Sequence, residues 1–310
     1  MKSFRHAVLA TTVVAGLLTA GCGSPSSPRA TDTGAADTAA PVASSSAPRA
    51  AQPKVTKLLV FVEENHSLAQ MKKGMPYTFG LAKKYGYATR YRAITHPSLP
   101  NYIAITGGKT YGVADDADPS SHQLKGRSVF GQALARGRTA GLYAQSMPGT
   151  CATTPSDPYA VKHNPWAYFV GERSGCRAHD LPMTAFGGDV TAGTLPRVGM
   201  VIPDLDHDAH DGTLKKADRW FKSVMTKVFA GPDWQSGHLA VVLTADEDDR
   251  AHGNRVLTVV IHRSQKNHVV EKRLNHYSLT RLYDDVAGLP YLHRAKGATS
   301  MTKAFGLPVG

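Results

Sequence analysis

The stretch KLLVFVEENHS, residues 57 to 67, changes character half-way. Leu58 to Val62 are apolar without a break, and Glu63, Glu64, Asn65 and His66 follow at once. A short unbroken apolar run that ends in polar residues predicts a strand buried on both faces. Four further runs share this form: TAGLYAQS (139 to 146), RVGMVIPD (197 to 204), HLAVVLTAD (238 to 246) and RVLTVVIH (255 to 262). Helix-like segments separate them, at 77–86, 128–137, 212–229 and 277–289. Alternation of this kind predicts an α/β fold with a mostly parallel central sheet covered by helices on both faces. Ligands in such folds collect beyond the carboxyl ends of the strands.

Those ends are polar. The first expected strand leaves into Glu63-Glu64-Asn65-His66 and the fourth into Asp246-Glu247-Asp248-Asp249. Adjacent acids repel, and a cation relieves that; carboxylates with an amide oxygen suit Mg²⁺, Ca²⁺ or Mn²⁺. The bland alternative for DEDD is a solvated acidic loop. The third strand leaves into IPDLDHDAHDG, residues 202 to 212, where Asp206, His207, Asp208, His210 and Asp211 crowd before a helix. Acids beside histidines orient the imidazole and raise its pKa, which suits a general acid. Helix capping by Asp211 and Thr213 is the competing reading. In ITHPSLPNYIAITGG, residues 94 to 108, the prolines suit a helix's first turn. Ser98 then lies beside free N–H donors that can meet a phosphate, or it merely caps the helix.

The ends of the chain suggest export. Lys2 and Arg5 precede an uncharged apolar run, and LLTAGC places Cys22 in a sequence resembling a lipobox. Residues 1–22 are therefore expected to be a lipoprotein-type signal peptide ending at the acylated Cys22. Residues 23–53, almost all Ala, Ser, Thr, Pro and Gly, are expected to form a disordered tether. Residues 54–310 suffice for one catalytic domain. Four basic and two acidic residues precede Lys54, leaving 32 Lys plus Arg against 22 Asp plus Glu, a formal +10. A basic domain attracts anions, but no nucleic-acid motif is visible, so no nucleic-acid partner is expected. Cys151 and Cys176 remain after Cys22 and predict a disulfide.

Taken together, VEENHS, THPSLPNYIAITGG, YAVKHNPWAYF, VIPDLDHDAHDGTLKKADRW, TADEDD and HYSLTRLYDDVAGLP resemble the bacterial phosphoesterase family. That family holds secreted acid phosphatases, some acting on phosphoinositides, and non-specific phospholipases C. The resemblance implies an alkaline-phosphatase-like fold. It implies that Glu64, Asn65, Asp246 and Glu247 hold one divalent metal ion and that Ser98 is the nucleophile. His210 and Lys162-His163 match positions near the phosphate, His276 matches a histidine of open role, and His96 and Asn101 adjoin the nucleophile. His66, Asp204, His207 and Ala245 depart from the family's commoner residues.

The resulting expectation is an exported, metal-dependent acid phosphatase, monomeric and either tied to the outer face of the cell membrane by a lipid anchor or secreted. Its substrates are phosphorylated small molecules or lipids, cleaved through a phosphoserine. His210, then His163, serves as acid, with His96, Asn101 and Lys162 binding substrate and Asp208 and Asp211 in open roles. Mildly acidic pH should favour the reaction. The alternatives are a phospholipase C-type phosphodiesterase and a non-catalytic anion-binding lipoprotein.

Overall fold

The computed structural model describes residues 53–310. Cys22, the expected signal peptide and the tether as far as residue 52 lie outside them. Ten strands are present among the described residues: β1 (Lys57–Glu63), β2 (Gly86–Ala88), β3 (Tyr91–Arg92), β4 (Ala140–Ala144), β5 (Asp180–Pro182), β6 (Val198–Ile202), β7 (Leu239–Ala245), β8 (Thr258–Ile261), β9 (His268–Val270) and β10 (Leu274–Asn275). Eight form one sheet in the order β5-β4-β6-β1-β7-β8-β2-β9, while β3 and β10 make a separate ribbon. All five expected apolar runs are strands of the large sheet.

The sheet is mostly parallel. β8 alone runs against its neighbours β7 and β2. A parallel neighbour needs a crossover, usually helical. Residues 246–257 contain no helix, and positive φ at Arg250, Gly253 and Asn254 turns the chain straight back.

Two helical layers cover the sheet. Phe61 of β1 meets Trp220 and Phe221 edge-on, with centroids 6.3 and 5.1 Å away, which seats the helix Leu214–Ala230. A different group of helices is built around His276–Ala287 and Ser98–Gly107. Tyr283 ties the first of these to β6 by donating to Gly199 O at 2.8 Å. Thr280 ties the two helices together by donating to Ala104 O at 2.8 Å. β1 and β7 are therefore sealed along nearly their whole length. Cys151 and Cys176 form the expected disulfide, Cα atoms 5.3 Å apart, and close a segment that carries Lys162 and His163.

Candidate active site

β6, β1 and β7 are neighbours at the middle of the sheet, so their polar exits converge. Backbone bonds lock the exits together. Glu64 N donates to Asp208 O at 2.8 Å, Asp246 N to Glu63 O at 2.9 Å, and Asn65 N to Asp246 Oδ1 at 3.1 Å. Asn65 takes φ +54°, a left-handed conformation that asparagine tolerates better than most residues. The DEDD run is not a solvated loop. Asp246, Glu247 and Asp248 are buried, the last because it accepts the N–H groups of Arg250, His252 and Asn254. Asp249 instead binds His252 and Gln70.

Ser98 opens the helix Ser98–Gly107, whose N-cap is Pro97 with no side-chain cap. The capping reading of this serine is overturned. Its hydroxyl is buried and donates to Glu64 Oε2 at 3.0 Å. One turn on, Tyr102 donates to Glu64 Oε1 at 2.7 Å, so two residues of one helical face grip the same carboxylate. The expected free N–H donors are partly taken, since Leu99 N donates to Asp116 Oδ1 at 2.9 Å. Asn101 faces inward rather than toward a phosphate. Its Oδ1 accepts from Ile94 N and Thr95 N, and its Nδ2 lies 2.9 Å from Thr95 O and 3.1 Å from both Pro97 O and Glu247 Oε2. It clasps the loop that presents Ser98.

Histidines and a lysine wall the site. His163 stacks on Tyr102 with centroids 5.2 Å apart, its Nε2 3.2 Å from Glu64 Oε1 and its Nδ1 3.0 Å from Asp208 Oδ2. Asp208 also accepts His210 N at 2.8 Å. His210 is more open, with Nδ1 2.7 Å from Asp211 Oδ1 and Nε2 3.3 Å from Lys162 Nζ. Asp211 therefore orients an imidazole, while Thr213 caps the following helix. Lys162 reaches Asp116 Oδ2 at 3.2 Å. His96 sits on the other side, 3.1 Å from Glu247 Oε1 and 3.3 Å from Asp248 Oδ1. His276 has both nitrogens engaged, Nε2 2.6 Å from Asp246 O and Nδ1 3.1 Å from the Tyr91 hydroxyl. It positions the Asp246 backbone. His207 leaves the cluster, paired with Asp204 at 2.7 Å and stacked on Trp220. Sequence reading missed Tyr102, whose spacing of four from Ser98 was available, and Asp116, which no local pattern announces.

The electrostatics suit a cation. Burial, then Asp246 and Asp208, raises Glu64 well above the carboxylate range. Burial raises Asp246, and burial with Asp246 raises Glu247 to about 8. Asp246 Oδ2 is buried without a hydrogen-bond partner. Glu64, Asn65, Asp246 and Glu247 thus offer oxygen donors at adjoining strand exits, with Asp246 Oδ2 left unpaired, a chemistry that fits a hard divalent ion. Glu64, His163 and His210 form a second grouping, their ligand atoms within 4.8 Å of one another. Burial, then Lys162, lowers His163 to about 3, so its ring is neutral.

The phosphoesterase family's sequence model matches residues 59–290. The chain belongs to that family. A Mycobacterium tuberculosis protein named phosphatidylinositol-3-phosphatase is 29% identical over 260 residues, covering 83% of this chain and 85% of its own. A Kluyveromyces lactis protein named probable acid phosphatase is 30% identical over 224 residues, covering 67% of this chain and 53% of its own. The chain thus spans about half the length of that fungal relative. Among solved structures, a Vibrio parahaemolyticus protein of the alkaline phosphatase superfamily superposes with a TM-score of 0.56 at 12% identity, covering 80% of this chain and 71% of that one. The fold is therefore alkaline-phosphatase-like.

Proposed function

We propose that this phosphoesterase is an acid phosphatase that hydrolyses phosphate monoesters through a phosphoserine at Ser98. The observation that carries the reading is the Ser98 hydroxyl, buried at a helix N-terminus and 3.0 Å from a carboxylate of the donor set. The phosphatase names of the relatives support the reaction class, and the M. tuberculosis name supports a lipid monoester among the substrates.

Ser98 Oγ attacks phosphorus opposite the leaving oxygen, forming an Oγ–P bond as the P–O bond to the alcohol breaks. Glu64 Oε2 holds the hydroxyl proton and aims the oxygen. Lys162, raised by Glu64 and Asp116 against the opposing effect of burial, stays charged and balances the phosphoryl oxygens. His210, its Nδ1 held by Asp211 and its Nε2 freed as Lys162 turns to the phosphoryl oxygens, gives the leaving oxygen its proton. Neutral His163 cannot share that task and instead packs Glu64 against Tyr102. Water then attacks phosphorus by the reverse geometry and gives a proton to His210, while Ser98 Oγ leaves with the proton returned by Glu64 and inorganic phosphate is released. Glu64, Asn65, Asp246 and Glu247 would hold a divalent ion, which supplies charge neutralisation and a more acidic hydroxyl.

Phosphatase assays on the purified protein test this. A chelator should abolish release of phosphate from an aryl monoester, and Mg²⁺, Ca²⁺ or Mn²⁺ should restore it. Full turnover after exhaustive chelation would rule out the metal, and phosphate binding without turnover would rule out the enzyme. We further propose export and membrane anchoring through acylated Cys22, ahead of a tether and the catalytic domain. Cys22→Ala should move the protein out of the membrane fraction; a wild type that is wholly soluble defeats the anchor.

A further inference from the structure

The ribbon of β3 and β10 sets Tyr91 against Leu274 and Arg92 against Asn275, and an antiparallel bridge adds Arg255 beside Arg92. Alternation decides which side each residue takes. Tyr91 and Leu274 are buried, while Arg90, Arg92, Arg273 and Arg255 are exposed. These four arginines line one cavity of about 770 Å³. Like charges at neighbouring cross-strand positions repel. Among the described residues, the Lys and Arg side chains in ion pairs are Lys57, Lys162 and Lys216, so none of the four is paired with a carboxylate, although Glu271 lines a neighbouring cavity with Arg90 and Arg273. Arg92 donates to Gly253 O, and Arg255 Nε to Thr89 O at 2.7 Å, which fixes two guanidinium groups in place. Arg90 and Arg273 have no side-chain hydrogen-bond partner among the described residues.

The cavity wall is joined to the segment that carries the serine. Ile94 also lines it, and Ile94 N is held by Asn101 of the Ser98 helix at 3.0 Å. Ile94 lies four positions before Ser98, a reach of at most about 14 Å. Arginine forks match phosphate oxygens bidentately, and an open cluster of them wants an anion.

We propose that this cavity is a second anion subsite, taking a phosphate group other than the one transferred to Ser98 on a substrate that carries two. It rests on the phosphatase reading of the first site. The substrate class is then a bisphosphorylated polyol or headgroup, selected over singly phosphorylated analogues.

The test compares fructose 1,6-bisphosphate with fructose 6-phosphate on the full chain, wild type and Arg90→Ala/Arg273→Ala. Wild type should favour the bisphosphate in kcat/KM by roughly tenfold or more, the scale of one well-placed charged contact. The double variant should lose that preference and keep its rate on the monophosphate within about twofold. A wild type without preference, or a variant that lowers both substrates alike or neither, overturns the proposal. Calorimetry with fructose 1,6-bisphosphate on Ser98→Ala, with and without the arginine changes, reads the subsite without turnover. If wild type cleaves neither sugar, the phosphatase reading has failed, and weaker binding after the arginine changes still upholds the subsite, whereas unchanged binding overturns it. Sedimentation with phosphatidylserine vesicles separates the other source of phosphate. Loss of vesicle binding in the arginine variant, with sugar bisphosphate preference intact, would make the cavity a membrane-facing surface and overturn the subsite.

Discussion

Ser98 shows how position can free an ordinary hydroxyl for the nucleophilic role proposed for it. Placed at the first position of its helix rather than at the cap, the hydroxyl is left for Glu64. Ser98→Ala removes that oxygen and little else, because Tyr102 still holds Glu64 and Asn101 still clasps the loop. Turnover should fall by at least roughly a thousandfold in a folded protein, the scale of losing a covalent nucleophile. Acid quench of wild type during turnover should leave phosphate on the peptide containing Ser98. Near-normal turnover by the variant would assign the serine a structural role. At this scale the placement of residues was legible wherever motif and strand exit coincided, as in the meeting of Glu64 and Asn65 with Asp246 and Glu247. It misled at Asn101, because an amide beside a nucleophile looks the same whether it faces ligand or loop. It was silent on Asp116, since a contact between a loop and a helix N-terminus 17 residues away leaves no periodic trace.

Elements differ in how openly the sequence declares them. Buried strands of four to seven residues stand out as apolar runs, and all five were readable. Two- and three-residue strands such as β3, β5 and β10 carry no period and emerge only from their partners. The strand β8 was readable but its antiparallel direction was not, because direction is set by the connection, which here is a turn. The segment between Cys151 and Cys176 has little regular structure, three short 3₁₀ turns and the start of a helix, and is closed covalently. Closing a loop of this length stabilises by about 3 kcal/mol in the chain-entropy account. Replacing both cysteines by alanine should lower Tm by roughly 6–12 °C, read by calorimetry. Activity should fall as well, because Lys162 and His163 ride on that segment. An unchanged Tm would mean that packing alone holds it.

Across the whole molecule, buried acids make stability depend on pH. Asp180 on β5 accepts Asn164 Nδ2 at 2.9 Å, yet burial raises it to about 8, and burial raises Asp284 to about 8 as well. Both lie apart from the metal donor set, so their effect is separable from a cation's. A group whose folded pKa lies above its unfolded value binds protons preferentially in the folded state. Its contribution is complete below about pH 4, the unfolded carboxyl value, and is lost as pH rises through about 8. Asp180→Asn keeps an acceptor for Asn164 and removes the titration. The Tm of wild type should therefore drop relative to the variant between pH 5 and pH 8, by at least roughly 3 °C. Parallel Tm profiles across that range would show that Asp180 stays ionised in the folded protein.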